Sequence, residues 1–214
     1  MVPIMGLPLL SYHLRWLKAF GIKQVIICCG YKSDVIQQYF GDGEKLDLQI
    51  VYSIEQQPLG RGGAIKAALK LVTDQSGPVL AMNGDLMTNL RIEDFYAFHT
   101  AHGALASVVT VPLKSPYGIT EFEEDNTITA FREKPELPFW VNAGIYMFEP
   151  RIAALLPDTG DHETTTFPVL AAQRQLKAFK TRSYWRTIDT VKDLAELQSE
   201  MENFFVTSFL SPTA

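Results

Sequence analysis

Asp85 closes the segment Asn83-Gly84-Asp85, directly after the apolar run Val79 to Met82. A carboxylate at a strand end, beside a glycine that lets other backbone approach, suits a hard cation or a ligand hydroxyl. The same three residues are also ordinary turn formers. Glu55-Gln56-Gln57-Pro58-Leu59-Gly60-Arg61-Gly62-Gly63 lies between a strand and a helix. Three glycines ahead of a helix N-terminus can cradle a phosphate, let a flat base lie against backbone, or simply form a flexible connection. The glycine spacing is not that of a dinucleotide fold, and no Gly-Lys-Ser/Thr follows.

Three further segments add polar side chains. Phe131-Arg132-Glu133-Lys134-Pro135 sets opposite charges side by side at a strand end, where Lys134 can neutralise a phosphate or sit in a solvated turn. Val141-Asn142-Ala143-Gly144-Ile145-Tyr146 carries an amide inside a strand-like run, which calls for a ligand hydroxyl or a neighbouring loop as partner. Trp185-Arg186-Thr187-Ile188-Asp189-Thr190 supplies a second strand-end carboxylate, unless Asp189 or Thr190 is spent as the N-cap of the last helix. Other chemistries are absent from the pattern. His13, His99, His102 and His162 share no metal spacing, and no Gly-x-Ser-x-Gly elbow occurs. His99 and His102 fall on a predicted helix and are expected at solvent.

The elements that must hold these segments alternate. Leu10, Leu14, Leu17 and Phe20 form a helical stripe stopped by Gly21. Val25 to Cys29 reads as a strand buried on both faces. Ser33 is placed to cap a helix from Asp34 to Phe40. A strand over 48–53, a helix over 63–72, the strand Val79 to Met82, a helix over 93–101 and a strand over 106–111 follow. Such alternation is the mark of a doubly wound sheet. Beyond it, Thr120 to Glu123 and Thr127 to Arg132 flank Asp125-Asn126 as a β-hairpin. Val141 to Phe148 is a strand, Pro150 to Leu156 a short helix, Phe167 to Gln173 a helix and Val191 to Phe204 a final amphipathic helix. The expectation is one α/β domain over residues 1–205 with a flexible tail over 206–214.

Composition narrows the class. Hydrophobic residues make up 47%, enough to build a core. Nineteen basic against 24 acidic side chains leave a net charge of −5, without the basic surplus of a nucleic-acid binder. No apolar run approaches the ~20 residues of a membrane span, and no secretion signal opens the chain, so a cytoplasmic protein is expected. Cys28 and Cys29 are adjacent on a strand and point to opposite faces, which disfavours a disulfide.

In their order, these segments resemble one family, the sugar-1-phosphate nucleotidyltransferases (nucleotide-sugar pyrophosphorylases), from Met1 to about Leu197. Pro3-Ile4-Met5-Gly6-Leu7-Pro8-Leu9-Leu10 resembles the stretch just after the family's glycine-rich loop. Pro58 to Gly63 is similar to its base-contacting Pro-Leu-Gly-Thr-Ala-Gly. Gly84-Asp85, Glu133-Lys134-Pro135 and Asn142-Ala143-Gly144 resemble its metal, sugar-phosphate and sugar motifs. Cys28-Cys29-Gly30-Tyr31-Lys32 and Trp185 to Thr190 look closest to the glucose-1-phosphate cytidylyltransferase branch, whose long insertion before the substrate loop is absent.

The resemblance implies a Rossmann-like three-layer α/β/α domain with a mixed, mainly parallel sheet, and transfer of a nucleotidyl group from an NTP to a sugar 1-phosphate with loss of pyrophosphate. It implies that Asp85 and Asp189 hold Mg²⁺, that Glu133 accepts from a sugar hydroxyl, and that Lys134 pairs with the sugar phosphate. Asn142 and Gly144 would line the sugar pocket, and Glu55, Gly60, Arg61, Gly62, Gly63 and Gly84 would serve the nucleotide. Arg61 stands where the family has a small Thr, and Thr187 where the commoner pattern has its second metal carboxylate. The family's first strand, its Gly-x-Gly-Thr-Arg loop and a later Lys-Pro all precede the stretch that Met1 resembles. The expectation is therefore an N-terminally shortened chain lacking a central strand. It would pair with another chain or aggregate along Val25–Cys29 and Val79–Met82, with impaired turnover. The alternative is a non-catalytic relative that binds a sugar nucleotide or a partner subunit.

Overall fold

In a computed structural model, residues 1–204 are described; the tail expected over 206–214 lies outside them. The order is β1 (Pro3–Ile4), β2 (Leu7–Pro8), α1 (Leu9–Ala19), β3 (Gln24–Cys29), α2 (Ser33–Phe40), β4 (Gln49–Ile54), α3 (Gly60–Leu69), β5 (Val79–Met82), β6 (Leu86–Thr88), α4 (Ile92–His102), β7 (Ala106–Lys114), β8 (Ile119–Phe122), β9 (Ile128–Arg132), β10 (Glu136–Phe148), α5 (Thr166–Ala172), β11 (Leu176–Lys180), β12 (Trp185–Thr187) and α6 (Val191–Phe204). Single 3₁₀ turns cover Glu44–Leu46 and Pro150–Ala154.

The main sheet runs β11-β7-β10-β5. β11 is parallel to β7, and β10 is antiparallel to both of its neighbours, so three strands share one direction and β10 alone is reversed. β3 and β4 form a separate parallel pair, β12 and β6 an antiparallel ribbon, and β8 and β9 the expected hairpin. This is the mixed α/β sheet that the resemblance implied.

Period-two alternation on β10 builds the layers. Ile145 and Met147 face one core with Val109, Val111, Trp16 and Leu17 of α1, and Phe95 of α4. Tyr146 and Phe148 face the other with Val108, Leu69 of α3, and Phe167 and Leu170 of α5. Both faces of the sheet are thus covered, and each large side chain buried there contributes about 1.5–3 kcal/mol.

Some local expectations are corrected. Ser33 does not cap α2: it lies in the first turn, and Lys32, left-handed at φ 56°, takes the cap position without a side-chain bond. The strand over 25–29 is not buried on both faces, since Cys28 is exposed while Ile27 and Cys29 are buried. Both cysteines are free thiols.

His99 is the clearest reversal. It is fully buried, with Nδ1 2.8 Å from Ser107 Oγ and Nε2 3.2 Å from Glu149 Oε1, whereas His102 is exposed as expected. His99 shares its helical stripe with the buried Ile92 and Phe95, which carries it into the core, where Ser107 of β7 and Glu149 satisfy its two nitrogens. His13 and His162 are buried too. Desolvation pushes all three imidazoles below their ordinary range, against the opposing pull of Asp85 on His13, Glu149 on His99, and Glu163 and Asp161 on His162; Arg61 pushes His162 further down. A folded pKa below the unfolded value favours the neutral ring. That stability is therefore complete above about pH 6.5 and is lost as the pH falls. The thermal midpoint is expected to drop between about pH 7.5 and about pH 5.5, a window above the ordinary carboxylate range. A midpoint that holds or rises over that window would contradict this account.

Candidate active site

Three of the five polar segments meet at one rim of the sheet. Asn83, just past β5, donates its N–H to Gly144 O at 2.8 Å. Ile188, just past β12, donates its N–H to Asp85 O at 2.7 Å, extending the ladder in which Thr187 stands opposite Leu86. Trp185 Nε1 donates to Ala143 O at 2.7 Å. Asp85 and Asp189 are thereby carried on adjacent antiparallel backbone, one residue out of register. Both are exposed.

Their carboxylates are not consumed by the turns that hold them. α6 is capped by Thr190: its Oγ accepts from Asp193 N at 3.1 Å, while Asp193 Oδ2 accepts from Thr190 N at 2.8 Å. That reciprocal box leaves Asp189 out of the cap. Asp85 accepts no side-chain hydrogen bond among the described residues. From below, His13 of α1 clamps the turn, with Nε2 2.6 Å from Leu86 O. Trp16 of the same helix donates to Leu90 O at 3.1 Å.

Gly144 has a steric task. It sits at φ +71°, and a Cβ there would lie 2.7 Å from Asn83 Nδ2. The register of β10 on β7 shifts between Asn142 and Tyr146, and this bulge brings Asn142 onto the rim. Gly144→Ala combines left-handed strain with a displaced Asn83 and is expected to cost about 2 kcal/mol in urea unfolding. A loss below about 0.5 kcal/mol would mean that the contact yields freely.

The glycine segment behaves differently from expectation. Gly60, Arg61, Gly62 and Gly63 are not a loop ahead of the helix; they are the first turn of α3. Their glycines let the 157–162 loop pack on that turn, since a Cβ at Gly63 would fall 2.5 Å from Asp158 O and one at Gly62 2.8 Å from His162 N. Gly160 O takes the N–H of Gly62 at 2.9 Å and of Gly63 at 3.3 Å, and Asp161 Oδ1 takes that of Arg61 at 3.0 Å. These amides are therefore closed to a phosphate. Glu55 Oε2 accepts from Leu59 N at 3.0 Å and holds the turn between.

Arg61 is likewise engaged. Its guanidinium reaches Asp161 through Nε and Nη2, at 3.3 and 3.2 Å, and Glu163 Oε1 through Nη1 at 3.0 Å. Asp161 is held below the usual carboxylate range by that hydrogen bond. Asn142, expected to seek a ligand or loop, has internal partners: Nδ2 donates to Tyr146 O–H at 2.9 Å, and Oδ1 accepts from Gly144 N at 2.9 Å. Tyr146 in turn donates to Glu163 Oε1 at 3.1 Å. Asp161, His162 and Glu163 were not singled out in the sequence. The signal was a histidine set between two carboxylates in a loop rich in turn residues.

Glu133 and Lys134 stand apart, on the turn between β9 and β10. Lys134 is exposed at φ 44°, and its ammonium makes no ion pair among the described residues, whereas neighbouring Arg132 pairs with Glu121. A Cβ at Gly118 would meet Glu133 Oε2 at 3.0 Å, so that glycine makes room for the carboxylate. No hydrogen bond links this turn to the other four segments among the described residues.

Comparison with known proteins adds to the geometry. The chain is 33% identical over 210 residues to a mannose-1-phosphate guanylyltransferase of Mycobacterium tuberculosis, covering 94% of this chain and 58% of that protein. It is 31% identical over 196 residues to a mannose-1-phosphate guanyltransferase of Pichia angusta, covering 87% and 53%. It thus spans between half and three fifths of the length of these relatives. Among solved structures, HddC from Yersinia pseudotuberculosis matches with a TM-score of 0.72 at 25% identity, covering 94% of this chain and 88% of that one. A putative glucose-1-phosphate thymidylyltransferase from Bacillus anthracis shares the fold, with a TM-score of 0.73 at 17% identity over 97% and 88%. The Nucleotidyl transferase family profile matches residues 1–203. With Gly84-Asp85, Asn142 to Gly144 and Asp189 gathered at one rim of such a fold, the chain belongs to the nucleotidyl transferase family.

Proposed function

We propose that this site transfers a nucleotidyl group from an NTP to a sugar 1-phosphate, giving an NDP-sugar and pyrophosphate. The observation that carries the reading is the hydrogen bond from Ile188 N to Asp85 O, which sets two uncommitted carboxylates, Asp85 and Asp189, at one rim. Two carboxylates with space around them suit Mg²⁺, which keeps several waters and shares phosphate oxygens. When bound, Mg²⁺ would supply charge neutralisation at the phosphates.

An oxygen of the sugar phosphate attacks the α-phosphorus in line. The bond from that phosphorus to the bridging oxygen breaks, and pyrophosphate leaves with the electron pair. Such a step asks the protein for positioning and charge rather than a nucleophile. In this reading Lys134 pairs with the sugar phosphate, and Glu133 accepts from a sugar hydroxyl. Asn142 and Gly144 border the sugar, while Gly84, Glu55 and the α3 start from Gly60 to Gly63 border the nucleotide. Arg61, committed to Asp161 and Glu163, acts there as a brace rather than as a free cation.

The names of the relatives favour GTP and mannose 1-phosphate as the first pair to try, and the resemblance of Cys28 to Lys32 keeps CTP and glucose 1-phosphate as the second. The test is pyrophosphate release with each of the four NTPs against both sugar phosphates, with and without Mg²⁺. Mg²⁺-dependent release with one pair supports the reading. Tight NDP-sugar binding, with no release even from a chain extended ahead of Met1, would favour a non-catalytic binder.

A further inference from the structure

We propose that Glu163 is a positioning residue, which takes the Tyr146 proton and so lets the phenol oxygen hold the Asn142 amide, in the orientation that Gly144 sets, toward the sugar side of the site. This rests on the reading above and deepens it.

The argument is one of donors and acceptors. An ionised carboxylate only accepts. Glu163 Oε1 lies 3.0 Å from Arg61 Nη1 and 3.1 Å from the Tyr146 hydroxyl, so the phenol must spend its single proton on Glu163. Its oxygen is left as an acceptor, and the group 2.9 Å away on Asn142 must be the NH₂. The second constraint agrees: Gly144 N–H donates at 2.9 Å, which only the Asn142 oxygen can accept. Asn142 therefore turns one remaining N–H and one remaining lone pair outward in a defined order. That is the pattern a sugar hydroxyl would read by giving and receiving together.

The surroundings hold the relay in place. Tyr146 is 1% exposed, stacks on Phe148 at 5.5 Å between centroids, and meets the rings of His162 and Phe167 edge-on. Burial pushes its phenol well above the ordinary range, keeping it a proton donor. Glu163 is tied to the α3 start by Arg61, and its Oε2 lies 3.3 Å from His162 Nδ1. Arg61 and Tyr146 both donate to Oε1, so Glu163→Gln can set its own oxygen there and keep the relay, whereas Glu163→Leu removes the acceptor. In Glu163→Leu the phenol proton is no longer held away from the Asn142 NH₂, which Gly144 does not allow to turn round.

The test reads the relay and the ligand separately, in the 214-residue chain. In the wild type the two side-chain amide protons of Asn142 are expected well apart by NMR, because one is bonded to Tyr146. In Glu163→Leu and in Tyr146→Phe they should converge toward the values of solvent-exposed asparagines, and in Glu163→Gln they should stay apart. Titration with mannose 1-phosphate should show about tenfold weaker binding in Glu163→Leu and in Tyr146→Phe and no further loss in their double. Unchanged Asn142 resonances in Glu163→Leu overturn the proposal, whether or not any sugar phosphate binds. Should that variant not fold, Glu163→Asp, which draws the acceptor back by one carbon, decides in its place. Converged resonances with undiminished affinity overturn the sugar-facing role. Converged resonances in a protein whose wild type binds no sugar phosphate uphold the relay and count against the reading under Proposed function.

Discussion

Turnover of the 214 residues alone is expected to lie at least about a thousandfold below that of the same chain carrying a family-type strand, Gly-x-Gly-Thr-Arg loop and Lys-Pro ahead of Met1. Two observations support this. β5 pairs only with β10, and β3 only with β4, among the described residues. All four residues of β5 are only half-buried, beside a β10 whose residues 143–148 are buried throughout. Val25 of β3 and Leu80 and Met82 of β5 nevertheless pack against one core, so the two open edges neighbour a common interior. Unpaired N–H and C=O groups on such edges invite another strand. The second observation is the absence of a phosphate cradle at α3, whose amides at 61, 62 and 63 are taken by Gly160 and Asp161. Donors for a triphosphate must then come from elsewhere, and each one missing is worth about a hundredfold or more. Pyrophosphate release by the short and extended chains, side by side, is the measurement. Equal turnover would show that the short chain already assembles its donors. The same edges predict a short chain that self-associates and an extended one that does not, read by sedimentation.

Asp85→Asn and Asp189→Asn are each expected to lower Mg²⁺-dependent turnover of the extended chain by about a hundredfold to a thousandfold, with the fold intact. The carboxylates are exposed and free of the turn hydrogen bonds around them, so their loss removes charge without orphaning a partner. Asp193, which carries the cap of α6, is the contrasting case: Asp193→Asn should weaken the helix start and leave turnover within a few-fold. Thr187 adds a sharper check. It is half-buried opposite Leu86, whereas Asp189 is exposed beyond the strand. Thr187→Asp is therefore expected not to rescue Asp189→Asn. Rescue would move the second carboxylate position two residues back along the chain.

Hydrophobic period and turn residues carried much of this fold. β5, the hairpin of β8 and β9, and α6 fall where the apolar run Val79 to Met82, Asp125-Asn126 and the amphipathic stripe put them, because these are local preferences. β6, three residues long, escaped notice because so short a run has no readable period, yet it is the strand that carries Asp85 to Asp189. The start of α3 was misread for a related reason. Glycines signal a loop unless something covers them, and only the folded chain brings Gly160 and Asp158 onto them.

By itself the sequence determined the residue types, their order and the local elements, and so the family. Asp85, Lys134, Asn142 and Asp189 were all legible as candidates from strand-end position and residue type. Which of their polar groups remain available was decided only by tertiary structure. Thr190 rather than Asp189 caps α6, Arg61 is spent on two carboxylates, and Asn142 is held by Gly144 and Tyr146. The physical reason is that a hydrogen bond depends on the partner's position to within a few tenths of an ångström. Partners 100 residues apart, such as Arg61 and Asp161, are brought together by packing and leave no local trace in the chain.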